Sequence, residues 1–307
     1  MKIIFMGTPG FAVPTLKILL ENNHVIPAVV TVPDRKKGRG LKTSVSDVKK
    51  YAEKNDLELL QPESLKDKVF IDQIKALEPD LIIVVAFRIL PKEIYTIPVY
   101  GSVNLHASLL PKYRGAAPIN RAIMNGDTET GVTTFFLKDK VDTGNMILQK
   151  KLKIGHDDNA GIVHDRLSEL GAETVLETVR LIESGNLTEL PQDDSLATSA
   201  PKIFREDCKI NWNQNSAFVH NFIRGLSPYP AAFTSLDNKI IKFFSSTLTD
   251  IKSEHEPGFV ILENKRLMVC TADNLIEILE LQSEGKKRIS AIDFINGLSR
   301  DKDLLFI

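Results

Sequence analysis

The amino-acid sequence predicts an α/β fold, in which a mostly parallel sheet carries helices on both faces, followed by a smaller β-rich domain. Short runs rich in β-branched residues alternate with segments of helical periodicity, as in successive βα units. Residues 81–86 are apolar throughout, as expected of a central strand covered by helices on both sides. Beyond residue 230, closely spaced strand-like runs are separated by turns rich in Asp and Asn.

The elements of the first domain are predicted from the two periodicities. Five runs have the length and apolar composition of strands: 3–6, 25–32, 81–86, 103–105 and 132–137. Four segments have the spacing of helices: 12–20, 46–54, 65–77 and 160–184. Asp157, Asp158 and Asn159 precede the last of these, and such residues cap helix N-termini. We therefore expect that helix to begin near Ala160.

A change of composition marks a domain boundary at residues 185–199, which are polar, contain proline and lack periodicity. We expect a first domain over 1–188, a linker over 189–204 and a second domain over 205–307. The second domain should begin with a short helix near 216–225, which a Pro-Tyr-Pro break ends. Its strands are then separated by three turns: Asp237-Asn238, Glu263-Asn264 and Asp273-Asn274. This pattern, over about 100 residues, favours a small β-barrel or sandwich.

Composition and charge exclude several classes of function. The 307 residues have a formal net charge of −1, so any polyanionic partner must be met by a local basic surface. Cys208 and Cys270 lie far apart and form no cluster of zinc-ligand spacing, which fits a reduced, cytoplasmic compartment. No stretch approaches the roughly 18 apolar residues of a membrane span, and nothing suggests export or anchoring.

One strand and one later loop carry the strongest functional signal. In an extended segment, residues two apart point to the same side, so Asn104 and His106 would present an amide and an imidazole together. Such a pair is suited to stabilising an oxyanion. Asp142, in an Asp-Thr-Gly sequence, could orient the imidazole and hold it protonated or in one tautomer. The three side chains suggest acyl-group chemistry without a metal.

Two other interpretations of these residues are weaker. The Asp-Thr-Gly triplet also occurs in aspartic proteases, but that chemistry needs two such aspartates close together and the sequence has a single triplet. A histidine alone is more often structural, and Asn104 and Asp142 are what distinguish His106 from that case. The remaining histidines have no such companions and are expected to be structural: His24, His156, His164, His220 and His255.

Two segments near the N-terminus could contact ligands. The first strand-to-helix turn contains Gly7 and Gly10 but lacks the dinucleotide fingerprint, so it either is structural or receives a ribose, phosphate or carboxylate at the helix N-terminus. A loop after the second strand holds five basic residues: Arg35, Lys36, Lys37, Arg39 and Lys42. Such a run is often only a solvated loop. Its position at the carboxyl end of a parallel strand favours a flexible arm that grips phosphates.

Taken together, these motifs resemble the folate-dependent formyltransferases, and within that family the enzymes that formylate methionyl-tRNA. The resemblance covers nearly the whole chain. It includes the first turn from Gly7 to Ala12, the basic loop, the stretch from Val103 to Pro118 (VNLHASLLPKYRGAAP) and Asp142-Thr-Gly144. It continues through residues 126–133 and, in the second domain, through 202–212 with Trp212.

The resemblance implies a Rossmann-like first domain, an OB-like barrel that supports tRNA, and transfer of formyl from 10-formyltetrahydrofolate to the α-amino group of methionyl initiator tRNA. It implies that Asn104, His106 and Asp142 are catalytic, without a metal. The folate would lie against seven residues: Ser108, Leu109, Leu110, Pro111, Phe87, Ile89 and Leu90. The five basic loop residues would contact the tRNA, with Arg39 at the most telling position. The aminoacyl end would lie at four residues of the first turn: Gly7, Thr8, Pro9 and Phe11.

The sequence departs from the family pattern at one place. Where the family usually has an aromatic-Gly-x-Ile-Leu-Pro segment, this chain has Phe87-Arg88-Ile89-Leu90-Pro91, which is one residue shorter and lacks the glycine. The nearest rival function is formyl transfer to an amino-sugar nucleotide or another small amine; deformylation of folate by water and non-catalytic RNA binding are further alternatives. We expect a monomer, because the sequence has no prominent exposed apolar stripe.

Overall fold

The computed structural model of the chain describes residues 1–37, 42–298 and 304–307. The residues divide into two compact units, each built from several segments. The first comprises Met1–Gly115, Gly131–Leu152 and His164–Ser199. The second comprises Ala116–Thr130, Lys153–Val163 and Ala200–Ile307. Two segments expected in the first domain, 116–130 and 153–163, therefore belong to the second unit.

The secondary structure elements are numbered in chain order. The strands are β1 (Ile3–Gly7), β2 (Val29–Val30), β3 (Arg35–Lys37), β4 (Lys42–Ser44), β5 (Leu59–Leu60), β6 (Leu81–Val85), β7 (Ser102–His106), β8 (Arg114–Gly115), β9 (Glu129–Phe136), β10 (Met146–Lys153), β11 (Ser199–Ala200), β12 (Ala232–Leu236), β13 (Lys239–Lys252), β14 (Phe259–Glu263), β15 (Arg266–Cys270), β16 (Asn274–Ser283), β17 (Ile289–Ser290) and β18 (Leu304–Leu305). The helices are α1 (Val13–Glu21), α2 (Asp47–Lys54), α3 (Lys68–Ala76), α4 (Lys92–Tyr95), α5 (Pro118–Met124), α6 (Ala160–Ser184), α7 (Ser216–Leu226) and α8 (Ala291–Asn296). Short 3-10 turns lie at Gly10–Ala12, Asp194–Leu196 and Glu206–Cys208.

The first unit is organised around a sheet with strand order β10-β9-β7-β6-β1-β2-β5. Neighbours from β5 to β7 pair in parallel, and β9 pairs antiparallel with β7. Every residue of β6 is buried, as expected of a strand covered on both faces. The predicted α/β class is confirmed, with an antiparallel edge added to the parallel sheet.

Two sets of side chains fill the faces of this sheet. On one face, residues such as Ile82 and Val84 cluster with Phe70 and Ile74 of α3. On the opposite face α6 packs closely: a Cβ at Gly171 would lie 2.6 Å from the Leu105 side chain. Glycine at this position lets the helix approach β7, which carries the candidate catalytic residues.

Most predicted elements of this unit lie where the sequence places them, with shifts that have local causes. Helix α6 spans Ala160–Ser184, and the Asn159 side chain caps it by accepting from the backbone N–H of Ile162. The strand predicted over 25–32 is regular only at Val29–Val30, because Pro27 has no N–H to donate. The strand predicted over 81–86 ends at Val85, since Ala86 adopts a φ of 47°.

The second unit contains an antiparallel sheet with strand order β12-β13-β16-β15-β14-β18. Ser235 in β12 and the terminal Ile307 exchange two backbone hydrogen bonds of 3.0 Å, which brings the first and last strands together. The result is barrel-like, as predicted. Asp237 and Asn238 both have positive φ, as a two-residue hairpin turn requires. Helix α7 ends at Leu226, just before the proline-rich break.

The core of the second unit explains why segments from the middle of the chain belong to it. Met124 of α5 packs with Trp212, Phe243 and Phe306 in one buried cluster. The Asn120 side chain donates to the Gly225 carbonyl of α7 at 2.7 Å. Chain order alone does not reveal such contacts, which join residues about a hundred positions apart.

Two further properties concern the cysteines and the helices. The thiols of Cys208 and Cys270 are buried and free. Among the helices of the described residues, none combines the length and the apolar character needed to cross a membrane.

Candidate active site

Strand β7 places Asn104 and His106 on one side of the sheet. In its parallel register with β6, Asn104 lies beside Val84, and Leu105 lies beside Val85 on the opposite face. The antiparallel neighbour β9 brings Thr133 beside His106. The pleat of a single buried strand therefore presents the amide and the imidazole together, as the sequence predicts.

The His106 imidazole is buried and both of its nitrogens face oxygen atoms. Nε2 lies 2.8 Å from the Tyr113 carbonyl oxygen, so Nε2 carries the hydrogen of that bond. Nδ1 lies 3.8 Å from Oδ2 of Asp142, a distance for charge attraction rather than a hydrogen bond. The ring is thus held between Tyr113 and Asp142.

Asp142 is positioned by its surroundings. Its Oδ2 accepts a hydrogen bond of 2.9 Å from the backbone N–H of Gly115. The Gln192 side-chain amide donates to the carbonyls of Asp142 and Gly144, at 2.9 and 2.8 Å. Asp142 itself has a φ of 55°, in the left-handed region. Contacts from two other chain segments therefore hold the carboxylate toward His106.

Gly144 is required by the turn that carries Asp142. A Cβ at this position would lie 1.5 Å from the carbonyl oxygen of Phe136 and 3.0 Å from the Phe135 ring. No side chain fits at the first distance, so the turn approaches β9 more closely than any other residue type permits. The glycine of the Asp-Thr-Gly sequence thus has a packing reason of its own.

The Asn104 side chain differs from its neighbours in having no hydrogen-bond partner in the part of the chain that the structure describes. It is half-buried, and among the described residues no group lies within hydrogen-bond distance of its amide. An amide at the edge of a buried site, beside an imidazole that is already fixed, can donate to an oxygen of a bound molecule without first breaking a protein hydrogen bond.

The loop after β7, predicted to line the folate site, is fixed by hydrogen bonds within the loop and to β9. Ser108 is fully buried, and its hydroxyl donates to the Lys112 carbonyl at 2.6 Å. Thr133 of β9 donates to the Ser108 carbonyl and accepts from the Leu110 backbone N–H. Of the four predicted residues, only Leu109 and Pro111 are partly exposed. Ser108 and Leu110 therefore shape the loop from within.

The loop after β6 combines apolar exposure with free backbone groups. The Ile89 side chain is 76% exposed and Phe87 is half-buried, while Leu90 is buried in the core. Among the described residues, the backbone N–H groups of Phe87, Arg88 and Ile89 have no partner. Apolar side chains beside free peptide groups suit a flat ring that carries amide-like edges, such as a pterin.

Arg88 anchors this loop. Its guanidinium donates to the carbonyls of Pro62 and Glu63 at 2.8 and 3.0 Å, and it lies 5.2 Å from the centre of the Phe87 ring. Burial lowers the pKa of Arg88 and the nearby Glu63 carboxylate opposes that effect. The guanidinium still carries its charge at neutral pH. The departure from the family pattern thus introduces a side chain that fixes the loop.

The first turn contains a polar group without a partner. The Thr8 hydroxyl is buried and has no hydrogen bond within the described residues. It follows Gly7 at the carboxyl end of β1, the end at which ligands bind in open α/β sheets. Pro9 is exposed, whereas Phe11 is buried and its carbonyl accepts from Ser168.

The basic segment forms a hairpin at its ends. Strands β3 and β4 pair antiparallel, with Lys37 opposite Lys42, where the sequence predicted a flexible loop. Arg35 is exposed. Arg39, the most telling residue of the predicted tRNA contact, lies outside the described residues.

The base of this hairpin is tied to the sheet. Lys49 of α2 donates to Asp34 at 2.7 Å and to Gln61 at 3.0 Å, and Gln61 donates in turn to Asp34 and to the Val32 carbonyl. The hydrogen bonds from Lys49 and Gln61 lower the pKa of Asp34. The base of the hairpin is therefore held in place against the sheet.

Sequence reasoning missed several residues that shape the site. Tyr113 and Gly115 lie in the quoted VNLHASLLPKYRGAAP stretch, but nothing in their spacing indicates that their backbone groups hold His106 and Asp142. Gln192 lies in the predicted linker and carried no signal at all. In the second unit, two histidines that were expected to be isolated form a cluster with an aspartate: His156, Asp157 and His220.

Comparison with known protein families decides the family. The formyl transferase family model matches residues 1–179, and the model of the formyl transferase C-terminal domain matches residues 202–299. The chain belongs to the formyltransferase family. A relative from Flavobacterium johnsoniae, named methionyl-tRNA formyltransferase, is 47% identical over 304 residues, which cover 97% of this chain and 96% of the relative.

Solved structures share the fold of this formyltransferase at lower identity. The methionyl-tRNA formyltransferase from Clostridium thermocellum has a TM-score of 0.57 and 16% identity, covering 91% of this chain and 99% of that one. HypX from Aquifex aeolicus, solved in complex with tetrahydrofolic acid, has a TM-score of 0.67 and 16% identity. All of this chain is covered in that comparison, but it spans only 51% of HypX.

Proposed function

We propose that this formyltransferase transfers the formyl group of 10-formyltetrahydrofolate to the α-amino group of methionyl initiator tRNA. The observation that supports this chemistry is the Asn104 amide, which has no hydrogen bond to another described residue and lies on the same strand as His106, which faces Asp142. The identity of 47% to a relative named methionyl-tRNA formyltransferase supports methionyl-tRNA as the acceptor of the formyl group. No metal takes part in the proposed reaction.

The Asn104 side chain stabilises the negative charge that develops on the formyl oxygen. When bound, the folate supplies a formyl group in an amide linkage, whose oxygen gains negative charge as an amine attacks the carbon. The Asn104 amide donates a hydrogen bond to that oxygen. A single preorganised donor of this kind is typically worth about 3–4 kcal/mol of barrier. Because this amide has no hydrogen bond to any other described residue, none of those has to be broken when the charge appears.

The His106 imidazole transfers protons between the attacking amine and the leaving nitrogen. The attacking amine must lose a proton and the departing nitrogen must gain one, and an imidazole can do both, directly or through a water. To reach either atom, Nε2 exchanges its hydrogen bond to the Tyr113 carbonyl for one to substrate or water. Asp142 faces Nδ1 and stabilises the ring when it is doubly protonated.

The loops after β6 and β7 hold the folate. Phe87 and Ile89 offer apolar surface, and the free N–H groups of the same loop offer donors to a pterin edge. Leu109 and Pro111 complete the wall from the second loop. Three buried residues stabilise the conformations of these loops: Ser108, Leu110 and Leu90.

The hairpin and the first turn serve the tRNA. A protein of net charge −1 needs a local basic surface to attract phosphates, and five basic residues are concentrated in this segment. The methionyl end would be received by the turn of Gly7, Thr8, Pro9 and Phe11, where the Thr8 hydroxyl is unpartnered among the described residues. The barrel of the second unit supports the tRNA body.

We infer further that the enzyme acts as a monomer in the cytoplasm. The two free, buried thiols fit a reducing compartment. Light scattering on the purified chain at micromolar concentration would give the mass of one copy. A stable dimer would overturn this inference.

The test is single-turnover formyl transfer with competing acceptors. The enzyme is mixed with 10-formyltetrahydrofolate and, in turn, methionine-charged initiator tRNA, free methionine, an amino-sugar nucleotide or water alone. We expect rapid formylation of the charged tRNA only. Transfer to a small amine, or only to water, would keep the assigned chemistry and overturn the tRNA role; no transfer to any acceptor would overturn both.

A further inference from the structure

A histidine pair in the second unit is not among the residues assigned to formyl transfer. His156 and Asp157 lie in the turn between β10 and α6, and His220 lies on α7. One ligand atom from each of the three, an imidazole nitrogen or a carboxylate oxygen, lies within 4.8 Å of the other two. The two imidazoles stack with their centres 5.3 Å apart.

His220 has the environment of an oriented ligand. It is 3% exposed, and its Nδ1 lies 3.0 Å from the Ser246 hydroxyl of β13. If Nδ1 donates to Ser246, the free lone pair is on Nε2, which faces His156. Its contact with the His156 carbonyl oxygen is 3.5 Å long, and in this tautomer it is not a hydrogen bond, because both atoms are acceptors. A hydrogen bond at the remote nitrogen is how proteins fix the tautomer and direction of metal-binding imidazoles.

The side chains of His156 and Asp157 are exposed enough to move toward an ion bound at His220. Their side chains are 66% and 84% exposed, and His156 Nδ1 lies 3.1 Å from the Asp157 carboxylate. Zinc bonds of about 2.0–2.1 Å in a tetrahedral site place ligand atoms roughly 3.3 Å apart. Rotation of these two exposed side chains would bring the ligand atoms, now within 4.8 Å of one another, closer together around the fixed His220.

The backbone of the turn is already fixed in place. Arg224 of α7 donates to the carbonyls of Asp158 and Gly155, at 2.9 and 3.4 Å, and Asp158 accepts from the Gly155 N–H. The positive charge of Arg224 is offset by Asp158 and Asp157.

We propose that His156, Asp157 and His220 form a binding site for a divalent transition-metal ion of the zinc class, with water in the remaining positions. Two imidazoles and one carboxylate suit Zn²⁺, Co²⁺ or Ni²⁺, whereas Mg²⁺ prefers an all-oxygen shell. The bound ion would link the turn before α6 to α7 and β13. It would thus stabilise the second unit and take no part in the transfer of the formyl group.

The experiment titrates Zn²⁺ into the full chain, free of any histidine tag and stripped with chelator, by calorimetry. Co²⁺ absorption spectra follow the ligand field of the same site. We expect one ion per chain, at least tenfold weaker binding in His156→Ala and in Asp157→Asn, and a rise in Tm on adding Zn²⁺ that both variants lose. These side chains are exposed, so the variants should fold even if a His220 variant does not.

The chain offers a matched control. His164 and Asp165 are also adjacent, with Nδ1 2.9 Å from the carboxylate, and they belong to no cluster of three such ligands among the described residues. His164→Ala should bind Zn²⁺ as the unaltered chain does. The proposal is overturned if the chain binds no Zn²⁺, if Mg²⁺ binds equally well, if His156→Ala binds normally, or if His164→Ala weakens binding as much.

Discussion

Removing the Asn104 side chain should separate catalysis from folding. Because the amide has no intramolecular hydrogen bond among the described residues, Asn104→Ala takes only van der Waals contacts from the fold, and the free energy of unfolding should change by about 1 kcal/mol or less. In the reaction it removes one donor, worth about 3–4 kcal/mol. Since 1.36 kcal/mol is a factor of ten, the single-turnover rate should fall by roughly 10²–10³.

The assay is single-turnover formylation of charged initiator tRNA at saturating donor, with urea unfolding of the same samples. A control variant is Asn120→Ala, whose amide donates to the Gly225 carbonyl at 2.7 Å. That variant should lose stability and keep its rate, the opposite pattern. A rate for Asn104→Ala within threefold of the unaltered enzyme, or a loss explained by weaker folate binding alone, would refute the oxyanion role.

Three further variants test the rest of the site. Asp142→Asn can still accept from Gly115 N–H but loses the charge facing His106, so kcat should fall by about 100-fold; unchanged kcat across neutral pH would remove Asp142 from the mechanism. Gly144→Ala should lower the free energy of unfolding by about 1–3 kcal/mol in urea melts, because its Cβ meets the Phe136 carbonyl; wild-type stability would show that the turn can move. Neutralising four residues of the basic segment 35–42 together should raise the KM for tRNA and flatten its salt dependence, while an unchanged salt slope would leave the segment without a tRNA role. The four are Arg35, Lys36, Lys37 and Arg39.

The elements that the sequence predicts well are those with strong local signals. Helix α6 has a capping cluster and a long periodic pattern, and β6 is an uninterrupted apolar run. The sequence does not reveal β10, whose lysines interrupt the apolar pattern at the edge of the sheet, where burial is partial. Nor does it reveal that residues 116–130 belong to the second unit, since that depends on packing between α5 and α7.

For the site, too, the sequence predicts the local features and misses the long-range contacts. Asn104 and His106 share one strand, so the two-residue period of the pleat predicts their common face. The approach of Asp142 to His106 depends on contacts made by Gly115 and Gln192 from other segments, and on a left-handed backbone at Asp142 itself. Such long-range backbone contacts have no periodic signature. The sequence therefore indicates which residues form the site but not the contacts that position them.

The shortened loop after β6 shows how a departure from the family pattern is accommodated. The chain leaves β6 sharply at Ala86, which adopts a φ of 47°, a conformation that costs an alanine about 1 kcal/mol or more. This strain must be offset by contacts that fix the neighbouring loop residues. Arg88 provides them through the Pro62 and Glu63 carbonyls and the Phe87 ring. In this enzyme the Arg88 side chain therefore fixes the proposed pterin loop.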